Sequence, residues 1–443
     1  MQNKLGQDFT LPRLLRFTAP SALMLMFMAL YQMVDGIFVS NFVGENALSA
    51  LNIAYPIPSV LIAVSVMLST GGSALVARTM GEKKPQQAKQ DFSLIVVTGV
   101  IIGILFAVVG LCFLPSLVRA LGATDLLYED CYNYLFPLIV SAPAAMLQMQ
   151  FQGFLVTAGK PHLGLALTVI GGVINLLLDY LFIVELKMGV TGAALGTAAG
   201  YIVPAMIGLC YFAFVRKGSL CLVRPKFRPA ALGEACFNGS SEMVTNLAVA
   251  ITTLMFNKIM LAYQGENGVA AITIVLYAQF LLTAIFIGFS SGVAPLFSYN
   301  HGNKNYVQIQ KLFRSSLWLI GTFSVLMFAV AFLFAVPIIS VFTRPDSAVF
   351  ALTVRGFHLF AFSYLITGFN IFASSLFTAF SNGKASAFLS FLRTFLFLIA
   401  SLLLLPRLLG ADGIWLSVPL AELLSLVVAV WLVIANRDYY QYY

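Results

Sequence analysis

Apolar positions in this chain follow neither the alternation of a half-buried strand nor the stripe of a surface helix. They continue for twenty residues and more, broken only at Gly, Pro and clusters of charge. A run of about 20 apolar residues lets a helix cross roughly 30 Å of hydrocarbon. Reading the runs against their breaks predicts twelve helices: 13–40, 48–77, 92–117, 132–158, 163–185, 190–215, 234–262, 268–298, 311–340, 350–380, 385–406 and 413–435. Several exceed the minimum, which implies tilt or protrusion beyond the bilayer.

Composition supports this reading. Of 443 residues, 60% are hydrophobic and 9% charged, whereas soluble domains carry about 25% charged residues. Too few polar side chains exist to cover a water-facing surface, so a soluble enzyme is excluded. The first apolar run follows Arg13 and Arg16 but lacks a small-residue cleavage site and carries Asp35, so it reads as a retained helix. Cysteines 112, 131, 210, 221 and 236 form no metal or disulfide spacing and read as packing residues.

The net charge of +8 is a matter of topology. With the N-terminus inside, 19 of the 25 Lys and Arg fall on the inner side and 6 on the outer. Cytoplasmic loops retain positive charge, so both termini are expected in the cytoplasm. This distribution favours anionic lipid as a neighbour and argues against nucleic acid.

An internal repeat organises the whole chain. GENALSALNI from Gly44 matches GENGVAAITI from Gly265, an offset of 221 residues, and 12 of the 41 positions over 44–84 are identical in that register. Gly81 pairs with Gly302, Lys83 with Lys304, and Gly189 and Gly192 with Gly410 and Gly413. Two six-helix bundles follow. Six is even, so both enter the membrane from the same side, and the pseudo-two-fold axis runs along the membrane normal. The expected division is a first lobe at 1–215, a basic linker at 216–232 and a second lobe at 233–443. Repeats of this kind put a substrate path between halves that rock to give alternating access. No GxxxxGK[ST] loop is present to use ATP, which leaves an ion gradient as the energy source.

The carboxylates read as lying well inside spans are Asp35, Asp179, Glu242 and Glu422. Each costs about 2.5–3.5 kcal/mol at mid-bilayer on insertion scales and therefore needs a reason to be there. Asp35 and Asp179 come late in outward-running helices, at similar depth, and Asn175 is one turn before Asp179 on the same face. Neighbouring carboxylates in a low-dielectric site cannot both stay charged, so the cluster suits reversible protonation or a bound cation. Pro20 offers a hinge in the first helix. Glu242 and Glu422 are candidates for a second-lobe cavity, while Lys258 and Arg393 are expected to snorkel. Candidate substrate contacts are Gln32 and Met33, with Met24, Met26 and Met28, in the first helix. In the fourth they are Gln148, Met149 and Gln152, with Met146 and Gln150, since Met surfaces repack around varied ligands.

VDGIFVSNFVG, INLLLDYLFI, the loops ARTMGEKK and SYNHGNKN, and VPLAELL, in that order, resemble the multidrug and toxic compound extrusion (MATE) family, particularly its bacterial MepA-type branch. The resemblance spans essentially the whole chain. It implies an all-α, V-shaped membrane protein of the inner membrane, acting as a monomer and needing no cofactor. Such a protein exports small lipophilic cations in exchange for protons or sodium. Under it, Asp35, Asn175 and Asp179 match the first-lobe ion site, Pro20 the proline whose bending accompanies protonation, and Glu242 the seventh-helix carboxylate. The tenth helix departs from the sodium-coupled pattern, having no acid between Phe357 and Phe380. The rivals are a flippase of lipid-linked oligosaccharide, which needs a basic cavity, and a membrane-embedded prenyltransferase, which needs DDxxD motifs; the chain has none.

Overall fold

A computed structural model describes residues 4–43, 45–216 and 218–442. Gly44, the first residue of the repeat, and Lys217, counted among the inner-side charges, lie outside the described residues. Among the described residues no strand occurs. Nine helices are long and apolar enough to span, and two further spans are bent pairs. The twelfth is hidden in the 74-residue helix Pro229–Gly302, which breaks at Gly265, where φ is 64° and ψ is −156°. The result is the expected pair of six-helix bundles.

We number the spans α1 (Leu11–Phe42), α2 (Glu45–Ala54 with Pro56–Gly81), α3 (Pro85–Ala120) and α4 (Tyr128–Val140 with Ala142–Thr157). Then follow α5 (Pro161–Asp179, continuing as a π-helix over Tyr180–Glu185) and α6 (Gly189–Phe214). Residues 229–264 form α7 and residues 266–302 form α8, followed by α9 (Tyr306–Leu333). Last come α10 (Ala348–Ala361 with Tyr364–Ala379), α11 (Gly383–Phe391, a π-helix over Leu392–Phe397, then Leu398–Leu409) and α12 (Ala411–Ala435).

Prolines account for most differences from the expected boundaries. Pro85 and Pro229 start α3 and α7 several residues early, because a first-turn proline lacks only a donor the helix would not use. Pro56 interrupts α2 after Tyr55, and α4 bends by 57° around Ser141, two residues before Pro143. Helix α9 stops at Leu333, and a separate turn, Ala335–Ser340, contains Pro337. The 52° bend in α10 has no proline at the break.

Helix α3 shows how the sequence sorts lipid from protein. Ile101, Ile104, Leu105 and Val108 are exposed on one stripe. The other stripe carries Gly99, Gly103 and Gly110, which seat Gln150, Pro143 and Ile139 of α4. Small residues let backbones approach where no hydrophobic force between helices exists. The expectation that all cysteines pack internally is corrected for Cys112 and Cys210, which are exposed on the apolar surface.

Both termini lie at one end of the bundles: Asn300 Nδ2 donates to Leu5 O at 3.4 Å and Gln310 Nε2 to Gln441 O at 3.2 Å. At this end the two bundles meet. A methyl on Gly81 would collide with Tyr299 O, and one on Gly302 with Arg78 O. The contact is reciprocal, since both pairs are related by the 221-residue offset. Gly71 and Gly239 pack α2 on α7, while Gly288 and Gly292 pack α8 on α1 beside Thr18, Ser21 and Ala22. The backbone repeats too, with Lys83 and Lys304 at φ of 62° and 54°, and Gly189 and Gly410 at 59° and 61°. Arg78 reinforces the seam through Glu234 at 2.5 and 3.0 Å and through Ser381 Oγ at 2.7 Å.

Candidate functional site

The first bundle brings Asp35, Asp179 and Asn175 together. Helix α1 approaches α5 because Gly172 lies under the rings of Phe27 and Tyr31. Helix α5 approaches α6 because Gly171 and Gly200 each face the other's carbonyl, at 2.8 and 3.1 Å from an added methyl. Gly196, one turn before Gly200, forms the wall against Asp179 Oδ1. The carboxyl groups of Asp35 and Asp179 face each other, and the Asn175 amide adjoins Asp179. Asp179 is 0% exposed and Asn175 3%. Asp35 Oδ1, both Asp179 oxygens and Asn175 Nδ2 are buried without a hydrogen-bond partner. Immediately beyond Asp179 the helix widens into its π-turn, a feature common at functional sites.

Three tyrosines lie in the same part of the bundle, and sequence reasoning did not single them out. Tyr31 precedes Asp35 by one turn on α1, Tyr134 comes from α4 and Tyr201 from α6; all three lie within the electrostatic range of Asp35. Among the described residues no Lys or Arg forms an ion pair with Asp35 or Asp179. Two facing acids in a low-dielectric site can hold a proton between them or offer hard oxygen ligands to a small cation. The sequence signal for this packing was available in GG at 171–172 and in GTAAG at 196–200, where glycines recur at the spacing of one helix turn.

The other candidates fall elsewhere. Pro20 is buried in an unbroken α1, within the segment that packs on α8. Gln32 is exposed and Met33 half-buried, on the turn before Asp35. Gln148, Met149 and Gln152 are 2%, 9% and 5% exposed, inside the bundle. Gln152 Nε2 donates to Thr168 Oγ1 at 2.8 Å, and Met149 O accepts from Ser69 Oγ at 3.2 Å. Met146 and Gln150 are fully buried as well, and Met24 nearly so.

In the second bundle Glu242 is half-buried on α7. Glu422 of α12 is held in an ion pair with Arg393 of α11, Nη2 to Oε1 at 2.8 Å. The expectation that Arg393 snorkels is overturned. From within the π-helix of α11 its guanidinium turns across to the Glu422 carboxylate of the neighbouring helix. Asp91, absent from the acids read as intramembrane, is 1% exposed near the start of α3, where Arg228 of the linker holds both its oxygens at 2.8 and 3.0 Å.

The profile of the MatE family matches residues 20–181 and again 242–403. The two matched segments are 222 residues apart, within one residue of the repeat. The chain is 23% identical over 428 residues to the multidrug export protein MepA of Staphylococcus aureus (strain bovine RF122 / ET3-1), covering 96% of this chain and 94% of that protein. Among solved structures it is similar to a MOP superfamily transporter from Pyrococcus furiosus, with a TM-score of 0.91, 21% identity and coverage of 100% and 99%. It is similar to the same degree, at 22% identity, to a multidrug resistance MATE family transporter in an outward-facing conformation.

Proposed function

The chain belongs to the MatE family, and from that premise we propose that it is a multidrug exporter driven by ion antiport across the cytoplasmic membrane. The observation that carries this reading is the Asp35/Asp179/Asn175 cluster, acidic, with buried unpartnered polar atoms and, among the described residues, no Lys or Arg in an ion pair with it. A proton entering from outside joins the paired carboxylates, and their repulsion is relieved. Helix α1 then adjusts about Pro20, where one backbone hydrogen bond is missing. The bundles shift along their glycine-lined seam, and a lipophilic cation held between them is released outward. Loss of the proton to the cytoplasm restores the negative site. Sodium is the alternative coupling ion at the same oxygens.

Topology follows the same logic: the end carrying both termini is the cytoplasmic one, and the basic linker lies there beside anionic lipid. An acidic first bundle disfavours a pyrophosphate-bearing lipid as substrate, which would be repelled by it.

Proteoliposomes loaded with a cationic dye test the proposal. The wild type should move dye against an inward proton gradient, and Asp35→Asn should fall to the level of empty vesicles while retaining its elution profile and melting temperature. Dye movement at the wild-type rate in Asp35→Asn would falsify coupling at this cluster. Replacing the proton gradient by a sodium gradient identifies the ion.

A further inference from the structure

The second bundle has an oxygen-rich cluster of its own, with a cation built into it. Arg393 Nε donates to Glu422 Oε1 and Oε2 at 2.9 and 3.1 Å, and Nη2 adds the 2.8 Å contact to Oε1. Asn370 of α10 donates Nδ2 to Glu422 Oε2 at 2.6 Å and to the Glu422 main-chain oxygen at 2.8 Å. Asn370 is 0% exposed, and its Oδ1 is buried with no partner. Glu242 of α7 is half-buried in the same bundle, and among the described residues it shares no ion pair with Arg393. The Glu422 carboxylate of α12 is thus shared between the Arg393 guanidinium of α11 and the Asn370 amide of α10, whose own oxygen is left without a partner.

Hard oxygen donors of this kind suit a small hard cation, and a buried carboxylate without a cation is costly. Here the cation is covalently attached. The π-helix over Leu392–Phe397 inserts an extra residue into the turn that carries Arg393. The bidentate grip on Glu422 then fixes the guanidinium's plane, which a lysine ammonium could not reproduce.

We propose that Arg393 is a tethered cation occupying a latent sodium site of the second bundle, formed by Glu422 and Asn370, and that it thereby confines ion coupling to the first bundle. Only the last clause rests on the function proposed above; the latent site is tested by direct binding.

The experiment measures the melting temperature of purified full-length protein in sodium chloride against choline chloride at equal ionic strength. It is run in both the wild-type and the Asp35→Asn background, so that a sodium response from the first bundle is subtracted. Arg393→Gln should acquire a sodium-dependent rise of a few degrees that saturates with concentration, as a ligand of the native state requires. The double variant Arg393→Gln/Glu422→Gln should lose that rise. Arg393→Lys, which keeps a tethered charge, should not gain it. Recovery of folded Arg393→Gln only when sodium is present throughout purification would be the same result in another form. A folded Arg393→Gln indifferent to sodium overturns the proposal. So does failure of Arg393→Gln in both salts when the double variant folds, because the guanidinium would then be a structural partner that no ion replaces.

Discussion

The two bundles descend from one repeated plan, yet they treat buried charge in opposite ways. The first sets Asp35 against Asp179 beside the glycine wall of α6, with no Lys or Arg paired to either among the described residues. The second neutralises Glu422 with Arg393 inside the fold. Each bundle widens one helix into a π-turn, but at different depths. In α5 it follows Asp179, about 27 Å beyond Pro161, while in α11 it contains Arg393, about 15 Å beyond Gly383, at roughly 1.5 Å per residue. Duplication preserved the frame and left the electrostatics free to diverge. A site that must exchange its cation cannot own one, whereas a site that owns one is closed to exchange.

The largest effect that separates the bundles is expected from acids of the first. Asp179→Asn, like Asp35→Asn, should abolish ion-driven dye movement in proteoliposomes, because the remaining carboxyl has lost its charged neighbour. Next comes the ion pair of the second bundle. Arg393→Ala leaves Glu422 buried and unpaired, so a loss of about 3–5 kcal/mol is expected in detergent unfolding curves, most of it recovered when Glu422→Gln is added. If Arg393→Ala were as stable as the wild type, the contrast between the bundles would lose its energetic basis. A smaller effect follows from Gly196→Ala. The added methyl meets Asp179 Oδ1, and overpacking costs about 1–3 kcal/mol. Transport should fall more steeply than stability, because the displaced group is the carboxyl itself. The smallest effect is Thr168→Val, which removes the acceptor of Gln152 and should lower stability by about 1 kcal/mol with dye transport retained.

Much of this contrast was legible before any coordinates. Runs of apolar residues gave the twelve spans, and the match of GENALSALNI with GENGVAAITI gave the two bundles. The rarity of acids in the spans singled out Asp35 and Asp179. What escaped was whatever depends on three-dimensional neighbours. Arg393 read as a snorkelling residue because its partner lies 29 positions away on another helix, and no local pattern announces a π-turn. Asp91 escaped because Pro85 lengthens α3, and Arg228, its partner, is 137 positions distant. Tyr31, Tyr134 and Tyr201 escaped because 17 tyrosines offer no reason to choose three of them. The seating of Gln150 of α4 against Gly99 of α3 escaped because the two lie 51 positions apart on different helices.

The reciprocal contact of Gly81 with Tyr299 O and of Gly302 with Arg78 O acquires a further meaning in a protein that lives between two ion concentrations. Backbone meeting backbone leaves no room for a file of water, and a file of water is a wire for protons. The seam is therefore an insulator as well as a joint. A methyl group at either glycine should appear first as a passive proton leak in vesicles without substrate, before any loss of folding. Because the two contacts are related by the repeat, Gly81→Ala and Gly302→Ala should leak to a similar extent.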